Sequence, residues 1–158
     1  MHNSLNNMNQ MITIQKIEPG NLEDFQKLIS VFEIVFEMKN FKIPEPPHLQ
    51  KLLQSENFFP IVAKQEESII GGLTIYILEQ YYSEKPLAYL YDLAVLQEYQ
   101  RKGIGRSLIN FARSYCKELG FKELFVQADK ADDYALEFYR STNPTEEEDV
   151  SHFYYKLD

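Results

Sequence analysis

Between Ile12 and Ile17 the run ITIQKI alternates apolar and polar positions, the period-two pattern of a strand with one buried face, and Pro19 and Gly20 end it. The period then changes. Leu22, Phe25, Leu28, Ile29, Phe32, Val35 and Phe36 recur at helical spacing through NLEDFQKLISVFEIVFEMKN, with Asn21 placed to cap the helix and acidic residues in its first turn. Prolines between Ile43 and His48 stop this helix, and HLQKLLQSEN supplies two further helical turns. FFPIVAK and SIIGGLTIYILEQ read as two strands joined by the charged turn QEES, and PLAYLYDLAV, Pro86 to Val95, as a third of the same character. Helical spacing returns in GIGRSLINFARSYCKELG, where Ile104, Leu108, Phe111, Ala112, Tyr115 and Leu119 share a face and Gly120 suits the stop. KELFVQA predicts a strand, DDYALEFYRS a short helix starting near Asp132 or Asp133, and DVSHFYYKL a closing strand. The order is β-α-α-β-β-β-α-β-α-β, an α/β chain with a mixed sheet and no internal repeat.

A chain of 158 residues without a break in composition is expected to form one domain, and its 44% of hydrophobic residues suffice for a core between layers. The Asn-rich start, residues 1–10, is expected to be flexible. Cys116 has no second cysteine to pair with and sits at helical spacing, which reads as a buried thiol. His2, His48 and His152 have no ligand spacing, so no metal is assigned. No apolar run reaches the length of a membrane span and the start has no signal-peptide segment, the pattern of a cytoplasmic protein that does not engage a membrane. A formal net charge of -8 repels phosphates, which argues against nucleic acid as a partner and favours cationic ones.

Against that acidic background, EYQRKGIGRSL (Glu98 to Leu108) gathers Arg101, Lys102 and Arg106 around Gly103 and Gly105 between a strand and a helix. A strand-to-helix turn exposes backbone N–H groups without intrahelical partners, and glycines let a ligand approach them, a combination suited to a pyrophosphate. The spacing is neither that of a Walker loop nor of a dinucleotide fingerprint, since Leu108 stands where the third glycine would fall. A helix start merely flanked by basic residues is the competing reading.

The run Gln100-Arg101-Lys102-Gly103-Ile104-Gly105 resembles the Q/R-x-x-G-x-G/A signature of the GNAT superfamily of N-acetyltransferases. YLYDLAVLQEYQRKGIGRSLIN, followed by ELFVQADKADDYALEFY, is most similar to the type I aminoglycoside 3-N-acetyltransferases, strongly from Gly71 to Tyr139 and more loosely elsewhere. The resemblance implies a mostly antiparallel central sheet flanked by helices, acetyl-coenzyme A as donor, and a small cationic amine as acceptor, with a homodimer among the assembled forms left open. It implies that Gln100, Arg101, Lys102, Gly103, Ile104, Gly105, Arg106 and Ser107 hold the pyrophosphate and that Leu93, Ala94 and Val95 pair with the pantetheine arm. Tyr139 falls on the family's general-acid tyrosine, and the oxyanion donor is expected to be a backbone N–H near Leu93, exposed by a bulge or splay of its strand.

The other roles are weighed on chemistry. Asp92 is a candidate catalytic residue, to accept a proton from the substrate ammonium or to anchor it, against a carboxylate satisfied locally. Asp129, Asp132, Asp133, Glu146 and Glu147 are candidates to bind a polyamine, against a helix start dressed with acids and a solvated charge run that also takes in Glu148 and Asp149. After Tyr139 the chain departs from the family, running Arg140-Ser141-Thr142-Asn143-Pro144 where the family continues to Leu-Gly. The resemblance implies a small polycationic amine as acceptor, with an aminoglycoside at its 3-amino group as the leading expectation and a protein, peptide or polyamine as the alternative; a silent acyl-coenzyme A sensor is the non-enzymatic alternative.

Overall fold

Five strands, four α-helices and a 3-10 turn at Gln97–Tyr99 account for the regular structure of a computed structural model that describes residues 11–158. The Asn-rich start and His2 lie outside the described residues. Strands β1 (Ile12–Lys16), β2 (Phe58–Gln65), β3 (Ser68–Leu78) and β4 (Leu87–Val95) form an antiparallel meander, and β5 (Glu123–Val126) joins β4 in parallel, giving the sheet order β1-β2-β3-β4-β5. The mixed, mostly antiparallel sheet is the expected one. Helices α1 (Leu22–Val35) and α2 (Pro46–Gln54) separate β1 from β2, α3 (Ile104–Glu118) connects β4 to β5, and α4 (Asp133–Ser141) follows.

Local chemistry sets the helix ends. Asn21 Oδ1 accepts the Asp24 N–H at 3.1 Å, the expected cap of α1. The helix stops at Val35 rather than continuing to Asn40, because Glu37 adopts φ 50° and two turn-closing bonds form, Glu37 N–H to the Ile34 carbonyl at 3.3 Å and Met38 N–H to the Glu33 carbonyl at 3.1 Å. This is a Schellman stop, which ends a helix despite favourable side-chain spacing. Pro46 and Pro47 do not merely break the first helix; they occupy the first positions of α2, where a missing N–H costs nothing.

Neighbouring residues of β2 show how the layers form. Phe58 packs against Phe25 of α1, with ring centroids 5.7 Å apart, while Phe59, pointing to the other face, meets Tyr115 of α3 at 5.3 Å. Helices α1 and α2 cover one face with Phe25, Leu28, Val31, Phe32, Leu49 and Leu53. A Cβ on Gly72 would stand 2.5 Å from the Leu28 side chain, so the bare glycine is what lets α1 approach β3 so closely. The buried face of α3 is Ile104, Leu108, Ile109, Ala112 and Cys116; Phe111 and Tyr115 are half-buried and Leu119 is exposed, so the contact stripe is rotated from the expected one. One charged group enters the core: Asp24, buried, pairs with Lys64 Nζ at 3.0 Å and accepts from Asn21 Nδ2 at 2.9 Å.

The final strand is a correction. DVSHFYYKL has no regular secondary structure, and Val150, Phe153, Tyr154, Tyr155 and Leu157 are exposed. A strand exists only through a hydrogen-bonded neighbour, and the sheet contains no segment beyond Val126. The chain divides into two compact units, one running to Gln127 and the other Ala128–Asp158.

Candidate active site

Strand β4 is irregular where the site residues lie. Leu73 pairs with Leu93 and Ile75 with Leu90, so Tyr91 and Asp92 together oppose Thr74 alone, the arrangement of a β-bulge. The bulge thus sits one to two residues before Leu93, the position near which an exposed N–H was expected. Thr74, a buried polar residue, accepts the Asp92 N–H through Oγ1 at 3.3 Å. On its other side β4 pairs with β5 only from Leu87 to Leu90. Tyr91 to Val95 therefore have no strand partner on that side among the described residues, so the backbone of Leu93 and the Val95 N–H make no ladder bond to β5, while the Val95 carbonyl accepts from Gln100. Such edges bind by strand-like pairing.

The loop after β4 is tied down from several directions. Gln100 Nε2 donates to the Val95 carbonyl at 2.8 Å, Tyr99 hydroxyl to Gln65 Oε1 at 2.9 Å, and Lys102 Nζ lies 5.6 Å from the Tyr99 ring centre. Arg101 takes φ 60° and Gly103 φ 82°, which turn the chain sharply into α3. Gly103 is the N-cap of α3 and, unlike Asn21 in α1 and Asp132 in α4, provides no side chain to bond the first-turn N–H groups. The first closed bond is Ser107 N–H to the Gly103 carbonyl at 3.0 Å, to which Ser107 Oγ also donates at 3.0 Å. Ile104, Gly105 and Arg106 thus present first-turn N–H groups without a side-chain cap, at the positive end of the helix dipole, beside exposed Arg101, Lys102 and Arg106. A Cβ on Gly103 would meet nothing within 4 Å. An open, uncapped and positively charged helix start fits a pyrophosphate.

Asp92 is half-buried, and burial raises its pKa above the ordinary carboxylate value. No cation offsets this among the described residues. Tyr76, beside it in the sheet, is likewise raised, first by burial and then by Tyr91 and Asp92. Cys116, as expected, is buried, and burial pushes its thiol up to about 11, an inert group rather than a nucleophile.

The remaining sequence-selected residues belong to the second unit. Tyr139 lies half-buried in α4, its ring 5.0 Å from that of Phe138 and its carbonyl accepting from Thr142 Oγ1 at 2.6 Å. Asp132 caps α4, Oδ1 accepting the Ala135 N–H at 3.0 Å, and Asp129 Oδ1 accepts the Ala131 N–H at 2.9 Å. Asp133 opens the helix, exposed. Glu147 holds Arg140 through two bonds, 2.7 Å to Nε and 2.9 Å to Nη2, which lowers the glutamate's pKa and raises the arginine's. Lys130 pairs with Asp149, and Glu146 is exposed. Several of these acids therefore have local structural partners.

Sequence reasoning missed Thr74, Gln65 and Tyr99, whose contacts join segments distant in the chain and carry no local signal. A cleft of about 300 Å³ lined by Lys16, Leu53, Phe59, Tyr115 and Leu119, among others, contains none of the selected residues.

A meander closed by a parallel strand, with a bulged β4 running into an uncapped glycine turn, is the architecture of an acyl-coenzyme A-binding transferase. A family model described as the acetyltransferase (GNAT) family matches residues 25–143, and the chain belongs to that family. It is an N-acetyltransferase that takes acetyl-coenzyme A as donor. Among solved structures it is similar to the aminoglycoside acetyltransferase meta-AAC0020 from an uncultured soil metagenomic sample, crystallised with sisomicin, at 57% identity over 95% of this chain and 99% of that one, TM-score 0.93. A second aminoglycoside acetyltransferase of soil metagenomic origin, HMB0005, is 27% identical over 94% and 99%, TM-score 0.87. The aminoglycoside N-acetyltransferase AAC(6')-Iy in complex with coenzyme A shares the fold at 18% identity over 92% and 95%, TM-score 0.74. No curated protein sequence matches.

Proposed function

We propose that the chain acetylates an amino group of an aminoglycoside, at the 3-position. The observation that carries the substrate class is the 57% identity, over nearly the whole of both chains, to the relative crystallised with sisomicin. The resemblance of the YDLAV and VQAD-DD runs to the type I 3-N-acetyltransferases supports the position.

Bound acetyl-coenzyme A supplies a thioester, an acetyl group activated for attack by an amine. The N–H groups of Ile104, Gly105 and Arg106, with the charges of Arg101, Lys102 and Arg106, would hold its pyrophosphate, and the backbone of Leu93 to Val95 its pantetheine arm. Gln100 and Ser107 serve by fixing the loop, through the Val95 and Gly103 carbonyls. An amine attacks only when neutral, and the Asp92 carboxylate, raised in basicity by burial, accepts or relays the proton or holds the ammonium. Tyr139 would serve as the acid, its hydroxyl supplying a proton to the sulfur of the leaving group. Asp133 and Glu146 offer exposed carboxylates to further ammonium groups, whereas Asp129, Asp132 and Glu147 do so only alongside their structural bonds.

Thiol release from acetyl-coenzyme A, measured against aminoglycosides, polyamines and amino-terminal peptides, tests the reading. Turnover with aminoglycosides and a product acetylated at the 3-amino group by NMR is expected. Activity confined to peptides overturns the substrate class, acetylation at another amine overturns the position, and tight cofactor binding without acceptor-dependent thiol release overturns the enzymatic reading.

A further inference from the structure

On the face of the sheet covered at one end by α1, the rings of Phe25, Phe58, Tyr76, Tyr91, Tyr89 and Phe125 form one continuous row. Successive centroids are 5.7, 5.0, 5.7, 5.8 and 4.7 Å apart. Its two ends differ. Phe25 and Phe58 are core residues at 3% and 5% exposure, whereas Tyr91 is 56% exposed and Tyr76, Tyr89 and Phe125 are half-buried. Tyr91 stands nearly perpendicular to both neighbours, at 84° to Tyr76 and 89° to Tyr89. A large ring held in place by two others, yet more than half exposed, is more surface than packing alone uses.

Next to it in the chain is Asp92, and the bulge sets both residues opposite Thr74. Aromatic faces are negative at the ring centre and attract cations within about 6 Å. The half-buried Asp92 carboxylate lies close enough to the same rings that it, like Tyr91, helps raise the pKa of Tyr76. We infer that, of the roles open to Asp92, it takes the anchoring one: Tyr91 and Asp92, with Tyr76 and Tyr89 holding Tyr91 upright, bind a second, non-reacting ammonium group of the acceptor. This deepens the proposed function and rests on it. The chemistry requires the distinction, because the attacking amine must give up its proton while a group held by a ring face and a carboxylate keeps its charge. The cradle therefore selects diamines and polyamines over monoamines, whichever amine reacts.

Tyr91→Leu retains apolar bulk and removes the ring, and Tyr91→Phe retains the ring. With the protein saturated with coenzyme A, sisomicin binding followed by calorimetry is expected to weaken roughly two- to fivefold in Tyr91→Leu, as for a partly exposed cation–π contact, and to return to the wild-type value in Tyr91→Phe. In steady-state assays KM for sisomicin should rise with kcat held, and the constants for the monoamine cyclohexylamine should not change. Circular dichroism and acetyl-coenzyme A binding report whether the variants are folded. Unchanged sisomicin affinity in Tyr91→Leu, or equal losses for both amines, overturns the cradle. If wild type acetylates no amine the functional reading fails, while the calorimetric comparison still decides the cradle; failure of wild type to bind sisomicin overturns both.

Discussion

Asp92 is a half-buried carboxylate at the bulge of β4. Its pKa is raised by burial, so the folded protein holds that proton more tightly than the unfolded chain does. The contribution is favourable below the unfolded pKa, near 3.9, and is lost as pH rises through the higher folded value, above which the carboxylate is charged in a half-buried place. Asp92→Asn should therefore raise the melting temperature at pH 7, have little effect below the unfolded pKa, and lower acetyl transfer. A destabilised variant at pH 7 would show instead that the carboxylate is satisfied locally. Such a conflict between stability and charge is typical of functional positions. Tyr139→Phe tests the acid: a general-acid hydroxyl contributes a factor of roughly 10²–10⁴ in turnover, with little change in fold. Unchanged kcat, with chemistry shown to limit the wild-type rate, would assign Tyr139 to packing in α4. Among the acidic candidates, residue type was legible and role was not. Asp132 and Asp129 bond N–H groups two or three residues away, a use their position before a helix allows as readily as ligand binding.

At the scale of elements, the glycine turn carries the sharpest expectation. Gly103 at φ 82° occupies the left-handed region, and its missing Cβ opens onto space rather than onto other atoms. Gly103→Ala should cost about 1–2 kcal/mol from the backbone alone. It should also weaken acetyl-coenzyme A binding roughly 10- to 100-fold if one hydrogen bond to a charged phosphate is lost. Chemical denaturation and calorimetry separate the two effects; loss of stability with unchanged cofactor affinity would leave the turn a structural stop only. The same scale shows where periodicity misleads. Helical spacing ran on past Val35, but the left-handed Glu37 ended α1. The alternation in DVSHFYYKL suggested a strand, but a strand's hydrogen bonds come from a neighbour that spacing does not supply.

For the molecule as a whole, the net charge of -8 acts on encounter rather than on chemistry. A polycationic acceptor should be captured faster at low ionic strength, and kcat/KM for an aminoglycoside should fall as salt rises, more steeply than for a monoamine. Equal salt slopes for the two would mean that surface charge serves solubility alone. The residues read from the sequence as cofactor-binding form one continuous stretch of β4, turn and α3, and strand alternation, two glycines and three basic residues are local signals of such a stretch. Local sequence likewise determined the identity and order of the elements from β1 to α4, the Asn21 cap, the positive turn and the buried Cys116, because backbone preference and side-chain periodicity act over a few residues. Only the tertiary structure decided the bulge that sets Tyr91 and Asp92 opposite Thr74, the end of β5 pairing at Leu90, the buried stripe of α3 and the aromatic row. Each of these depends on register between segments distant in the chain, and register is set by packing both faces of a sheet at once.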